Sequence, residues 1–168
     1  MNLYQRLGFL VLGSRLRRLS EAFLSEITRA YQNEGIDFEA SWFPVFYLLS
    51  EHGELSIKEL SEQIEVSHPA ASQLVAGLKN KGLVTTKVSA SDGRKQLVTL
   101  TTKGQALLEQ VKPVWDAILI SMDELVNSQK AGKQLLPAIA ALETAFGAAN
   151  LAQTIADKLA KTLNPTES

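Results

Sequence analysis

The sequence predicts a mainly α chain with a small β-wing. Helix-period apolar spacing runs through most of its 168 residues. Only two short segments, near Leu83–Val88 and Gln96–Leu100, switch to strand-like patterning, around a polar loop with an Asp-Gly turn signal. Two capped helices joined by a tight turn come directly before them. Helix, turn, helix and hairpin in that order make a winged helix-turn-helix, here flanked by N- and C-terminal helices that we expect to be dimerisation helices. The expected division is one domain over 1–168. Residues 2–33 and 102–164 form its helical dimerisation region, and 41–101 its winged lobe.

The elements follow in order. Residues 2–32 read as one long helix, because Leu12, Leu16, Leu19, Phe23, Ile27, Ala30 and Tyr31 recur at threes and fours, and Asn33-Glu34-Gly35 stops it. Ser41 is the expected cap of a second helix, Trp42 to Glu51, with Pro44 in its first turn and Gly53 after its end. Glu54-Leu55 is placed to add a short strand. Ser56 and Glu59 have the spacing of a capping box, and Ile57, Leu60 and Ile64 give the next helix its apolar face. Ser67 caps the recognition helix, which tolerates Pro69 in its first turn and stops at Lys81-Gly82. After the hairpin, Thr101 or Thr102 starts a helix running to Leu125, with Thr102-Lys103-Gly104-Gln105 as a capping box and a kink at Pro113. Leu135–Phe146 and Leu151–Leu163 are one broken helix or two, and 164–168 a frayed tail.

Composition limits the function. With no cysteine, disulfides, thiol redox sensing and cysteine metal sites are excluded. Two histidines, without a nucleophile triad or paired carboxylates on an evident loop, argue against an enzyme, a metal site or a cofactor. The N-terminus lacks a leader pattern and Leu7–Leu12 is too short to span a bilayer, so the expectation is a cytoplasmic protein with no membrane partner. The net charge of −1 argues against nucleic acid, but its distribution argues for it. Residues 67–103 hold Lys79, Lys81, Lys87, Arg94, Lys95 and Lys103 against Asp92 alone, whereas 34–65 hold eight acids against Lys58.

A recognition helix needs one face that docks on its own lobe and another that reaches bases. Ala71, Leu74, Val75 and Leu78 suit the first; Ser67, His68, Pro69, Ser72, Gln73 and Ala76 lie toward the second. Gln73 matches the N6/N7 edge of adenine, the serines and His68 suit base edges or phosphates, and Pro69 suits a thymine methyl. The helix has no arginine, so affinity should lean on phosphate contacts from Lys87 and Lys95 and on the wing. Arg94 at the hairpin tip suits a narrow A·T-rich minor groove, oriented by Asp92. Trp42, Phe46 and Trp115, where long helices meet the lobe, are candidate walls of an effector pocket. Aromatic residues there are more often core.

The run from Ser56 to Gly104, SIKELSEQIEVSHPAASQLVAGLKNKGLVTTKVSASDGRKQLVTLTTKG, resembles the DNA-binding segment of the MarR family of bacterial regulators. The wing signature of that family is matched by Asp92, Arg94, Leu100, Thr101 and Gly104. The resemblance implies a homodimer held by its terminal helices, with two lobes reading a pseudo-palindrome in double-stranded DNA. It also implies contacts from Ser67, His68, Pro69, Ser72 and Gln73, and a minor-groove role for Arg94. A regulator of this kind, more often a repressor, would be released by a small molecule that favours one lobe spacing. The alternative is a winged lobe that docks a protein without reading DNA.

Overall fold

The structure, a computed structural model, describes residues 3–88, 95–128 and 132–163. These fall into two compact units, Met1–Ile118 and Leu119–Ser168.

In the first unit, the expected N-terminal helix is divided. Leu3–Leu7 (α1) gives way to a 3-10 segment, Gly8–Val11, before Leu12–Asn33 (α2). Gly8 has a φ of +53°, in the left-handed region that an α-helix does not use, so the run cannot be a single helix. α2 ends as expected, with Gly35 also left-handed. Ser41 does not cap the next helix. It lies inside a 3-10 turn, Ala40–Trp42, and Phe43–His52 (α3) starts behind Trp42 with no side-chain cap. Pro44 in that first turn has no N–H to satisfy, which lessens the need for a cap.

Glu54–Ser56 (β1) leads directly into Ile57–Ile64 (α4), whose capping box is formed in full. Glu65 adopts the left-handed cap conformation, and the turn delivers the chain to His68–Asn80 (α5). Val84–Val88 (β2) and Gln96–Leu100 (β3) then form the hairpin. The sheet order is β1-β3-β2, antiparallel throughout, with Val98 central between Leu55 and Thr86. Thr102–Asn127 (α6) continues through Pro113. Its cap is Thr101, whose Oγ1 accepts from the Gly104 N–H at 3.0 Å; the expected box on Thr102 does not form, because Gln105 bonds Glu109 instead.

One apolar cluster binds the first unit together. Tyr31 of α2, Phe46 of α3, Leu60 of α4, Leu78 of α5, Val98 of β3 and Leu108 of α6 are all essentially inaccessible. The cluster explains why the two helices of the helix-turn-helix hold a fixed angle: each contributes its apolar stripe to the same core.

In the second unit, a 3-10 turn at Gly132–Gln134 precedes Leu135–Ala148 (α7) and Leu151–Leu163 (α8). The C-terminal apolar pattern is therefore two helices, bent by 75°. Asn150 makes the break by capping α8, its Oδ1 accepting from the Gln153 N–H at 3.1 Å. Among the described residues no single helix is long and apolar enough to cross a membrane, although the bent α7–α8 pair meets the length and composition.

Candidate nucleic-acid interface

The recognition helix is α5. Ser67 closes its N-terminus by accepting from the Ala70 N–H at 3.3 Å. Ala71, Val75 and Leu78 are buried, and Leu74 packs against the core. Docking by these residues turns the opposite face outward. Ser67, His68, Pro69, Gln73 and Ala76 are exposed and Ser72 is half-buried, so these residues share the open end and side of one rod.

Beside the start of α5 lies an open cleft of about 510 Å³, lined by Ser56, Ile57, Lys58, Glu59, Glu62, His68, Lys95 and Gln96. It brings Lys95 at the base of the wing to the same concavity as His68, two predicted residues joined by the fold. It also adds Lys58, which sequence reasoning missed although its place in the first turn of a capped helix was visible. The Ser56 hydroxyl and backbone N–H hold the Glu59 carboxyl below the usual carboxylate range, and Lys95 and Lys58 add attraction. Glu59 is therefore a structural anion whose negative charge faces the cleft cations.

The basic patch is less free than its sequence suggests. Lys87 of β2 pairs with Glu54 of β1 across the sheet. Lys81 pairs with Glu39 at 3.6 Å, and Lys103 donates to the Lys81 carbonyl at 2.9 Å. Lys79 donates to Thr86 Oγ1 at 3.1 Å. Much of the cation count in this segment is thus directed toward the chain's own fold. Asp92 and Arg94 lie outside the described residues.

Trp42 and Phe46 are core residues, 4% and 0% exposed. Phe38 stands edge-on to both, with centroids 5.6 and 5.1 Å away, so packed rings fill the space around them. Trp115 is half-buried and donates its indole N–H to the Tyr31 hydroxyl at 3.0 Å. Burial raises the Tyr31 phenol above its ordinary pKa, partly offset by that bond, so it stays neutral. The open side of the cluster belongs to Phe43 and Tyr47, both exposed and both against Trp115 at 4.9 and 6.3 Å; neither was singled out from the sequence.

Residues 36–95 match the model of the MarR family, a span that takes in α3, the helix-turn-helix and the first strand of the hairpin and stops before β3. Over that span the chain is similar to the MarR family. Similarity to named regulators covers longer stretches. The HTH-type transcriptional regulator FarR of Neisseria gonorrhoeae is 26% identical over 128 residues, 75% of this chain and 86% of that one. The HTH-type transcriptional repressor IacR of Pseudomonas putida is 33% identical over 79 residues, 47% of each chain. Among solved structures, the S. aureus MepR–DNA complex superposes with a TM-score of 0.67 at 19% identity, covering 79% of this chain and 96% of that one. That likeness establishes the shared fold.

Proposed function

We propose that this chain is a MarR-family transcriptional regulator that binds double-stranded DNA as a homodimer on a pseudo-palindromic site and acts as a repressor. The observation that carries the reading is the two-sided recognition helix. Its apolar face is locked in the core, while Ser67, His68, Pro69, Ser72 and Gln73 line the open side beside the wing base. In this reading Gln73 meets adenine, the serines and His68 meet base edges or phosphates, and Lys95 and Lys87 meet backbone phosphates. Arg94, oriented by Asp92, enters the minor groove.

The homodimer is supported by α2. Its apolar stripe is continuous, yet only the later part, Ile27, Ala30 and Tyr31, meets the lobe; Leu16, Leu19 and Phe23 are exposed at 45, 62 and 40%. Release by a small molecule is supported by the open aromatic side formed by Phe43, Tyr47 and Trp115, next to the predicted Trp42 and Phe46. The relatives compared carry the names of regulators, which supports a function other than catalysis.

A protein-docking lobe is the second reading, favoured by the internal pairing of Lys81, Lys87 and Lys103. Selection from a random duplex pool at about physiological salt, where specific and non-specific binding separate, distinguishes the two. A two-fold motif is expected. Recovery of no motif, with weak salt-sensitive binding only, would move the reading to protein docking.

A further inference from the structure

We infer that Lys81 is a positioning residue for sequence recognition: the core sets the angle of α5, and Lys81 trims its tilt from the end that touches no base. The inference rests on the DNA-binding reading above.

Lys81 is the C-terminal cap residue of α5. Its ammonium stands 4.8 Å from the ring centroid of Trp42 and 3.6 Å from Glu39 Oε1. An ammonium over an indole face is attracted by the ring quadrupole, and Trp42 is buried within the aromatic core and cannot yield. The main chain at the same point is held from the other side. The Lys81 carbonyl accepts from Lys103 Nζ at 2.9 Å, and the Gly82 and Leu83 carbonyls accept from Thr101 Oγ1 at 2.6 and 3.2 Å. The exit of the recognition helix is thus fastened between the α2–α3 connection and the start of α6.

Leverage makes this matter. A 13-residue helix is about 20 Å long, so a tilt of a few degrees at its fastened end moves the reading end by about 1 Å. Base-edge hydrogen bonds lose alignment over such a shift, whereas contacts with flexible lysines on phosphates tolerate it. A residue acting only through tilt should therefore affect discrimination between sequences and leave the electrostatic component of binding unchanged. A lysine that grips a phosphate does the reverse.

The test uses the full chain, the duplex recovered by selection and a scrambled duplex of equal composition, each titrated over a salt series. Lys81→Met keeps the apolar stem over Trp42 and removes the charge. We expect about tenfold weaker binding to the selected duplex, less than about twofold change on the scrambled one, and an unchanged salt slope. Lys81→Arg, which can stack on the indole and pair with Glu39, should recover most of the loss. Glu39→Gln decides the sign independently. Positioning predicts weaker binding to the selected duplex alone. A phosphate-gripping Lys81, released from Glu39, predicts tighter binding to both duplexes and overturns the inference. Equal losses on both duplexes in Lys81→Met, with a salt slope shallower by about one unit, overturn it too, as does no loss on either. Wild-type protein that binds both duplexes equally removes the DNA-reading function itself, and positioning with it.

Discussion

Gly104 has no room for a side chain. A Cβ built there would lie well inside van der Waals contact with the Leu83 carbonyl oxygen, a backbone atom that is already bonded to Thr101. Gly104→Ala should therefore separate the start of α6 from the chain leaving α5, at about 1–3 kcal/mol of stability, measured by denaturant unfolding. Wild-type stability would show that the approach relaxes freely. Ser56 illustrates the opposite kind of residue, legible from its neighbours alone. Its hydroxyl accepts from the Glu59 N–H at 3.2 Å while its own N–H donates to Glu59 Oε2 at 2.8 Å. The Glu59 carboxyl is thereby held below its ordinary range in the folded chain. Its stabilisation is complete above the unfolded pKa and is lost as pH falls through the lower folded value. Ser56→Ala removes the largest cause, so it should cost about 1 kcal/mol at neutral pH and less in acid. Equal penalties at both pH values would remove Glu59 from the account. The capping box was visible because both partners lie within one helical turn; the Gly104 contact was not, because its partner arrives from another element.

At the level of elements, the wing is a sheet of three strands with a built-in charge correction. β1 places Glu54 against Lys87 of β2 with β3 between them. The carboxylate competes with any phosphate for that ammonium. Glu54→Gln should tighten binding to every duplex several-fold, because Lys87 no longer has to leave a carboxylate to meet its phosphate. Titration with a selected and a scrambled duplex measures this, and unaltered affinity for both would mean that no phosphate reaches Lys87. The strands themselves were legible in the sequence, including the short Glu54–Ser56 addition, because alternation and turn residues are local signals. Their cross-strand pairing was not, since it depends on register. The N-terminal helix shows a related limit: apolar periodicity continues across Gly8, but the backbone angle there ends one segment and begins another.

At the scale of the whole molecule, many large apolar side chains among the described residues are exposed. Phe9 and Leu10 are 88 and 87% exposed, and Leu19 and Phe23 continue that exposure along α2. In the second unit Phe146, Ile155 and Leu159 are more than half exposed. Surfaces of this extent call for a partner, and the proposed homodimer would supply one. Leu19→Glu combined with Phe23→Glu should yield a monomer in sedimentation velocity, with the helical circular dichroism of the wild type. Affinity for a two-fold site should fall by about a hundredfold, because the second lobe no longer binds at high effective concentration. A dimer that survives both charges would move the interface away from α2.

The sequence by itself determined the order of elements, the caps of α4 and α5, the hairpin and the outward set of the recognition helix. Each depends on residues a few positions apart, and such local spacing maps directly onto backbone geometry. Only the tertiary structure decided which lysines remain for a partner and which half of the α2 stripe stays open. It also placed Trp42 and Phe46 inside the core and Phe43 and Tyr47 at its edge. Periodicity tells which face of a helix is apolar but not what covers it, and composition counts charges but not the distances between them. The pairs Lys81–Glu39 and Lys87–Glu54 join residues remote in the chain, so their meeting is a property of the packed fold.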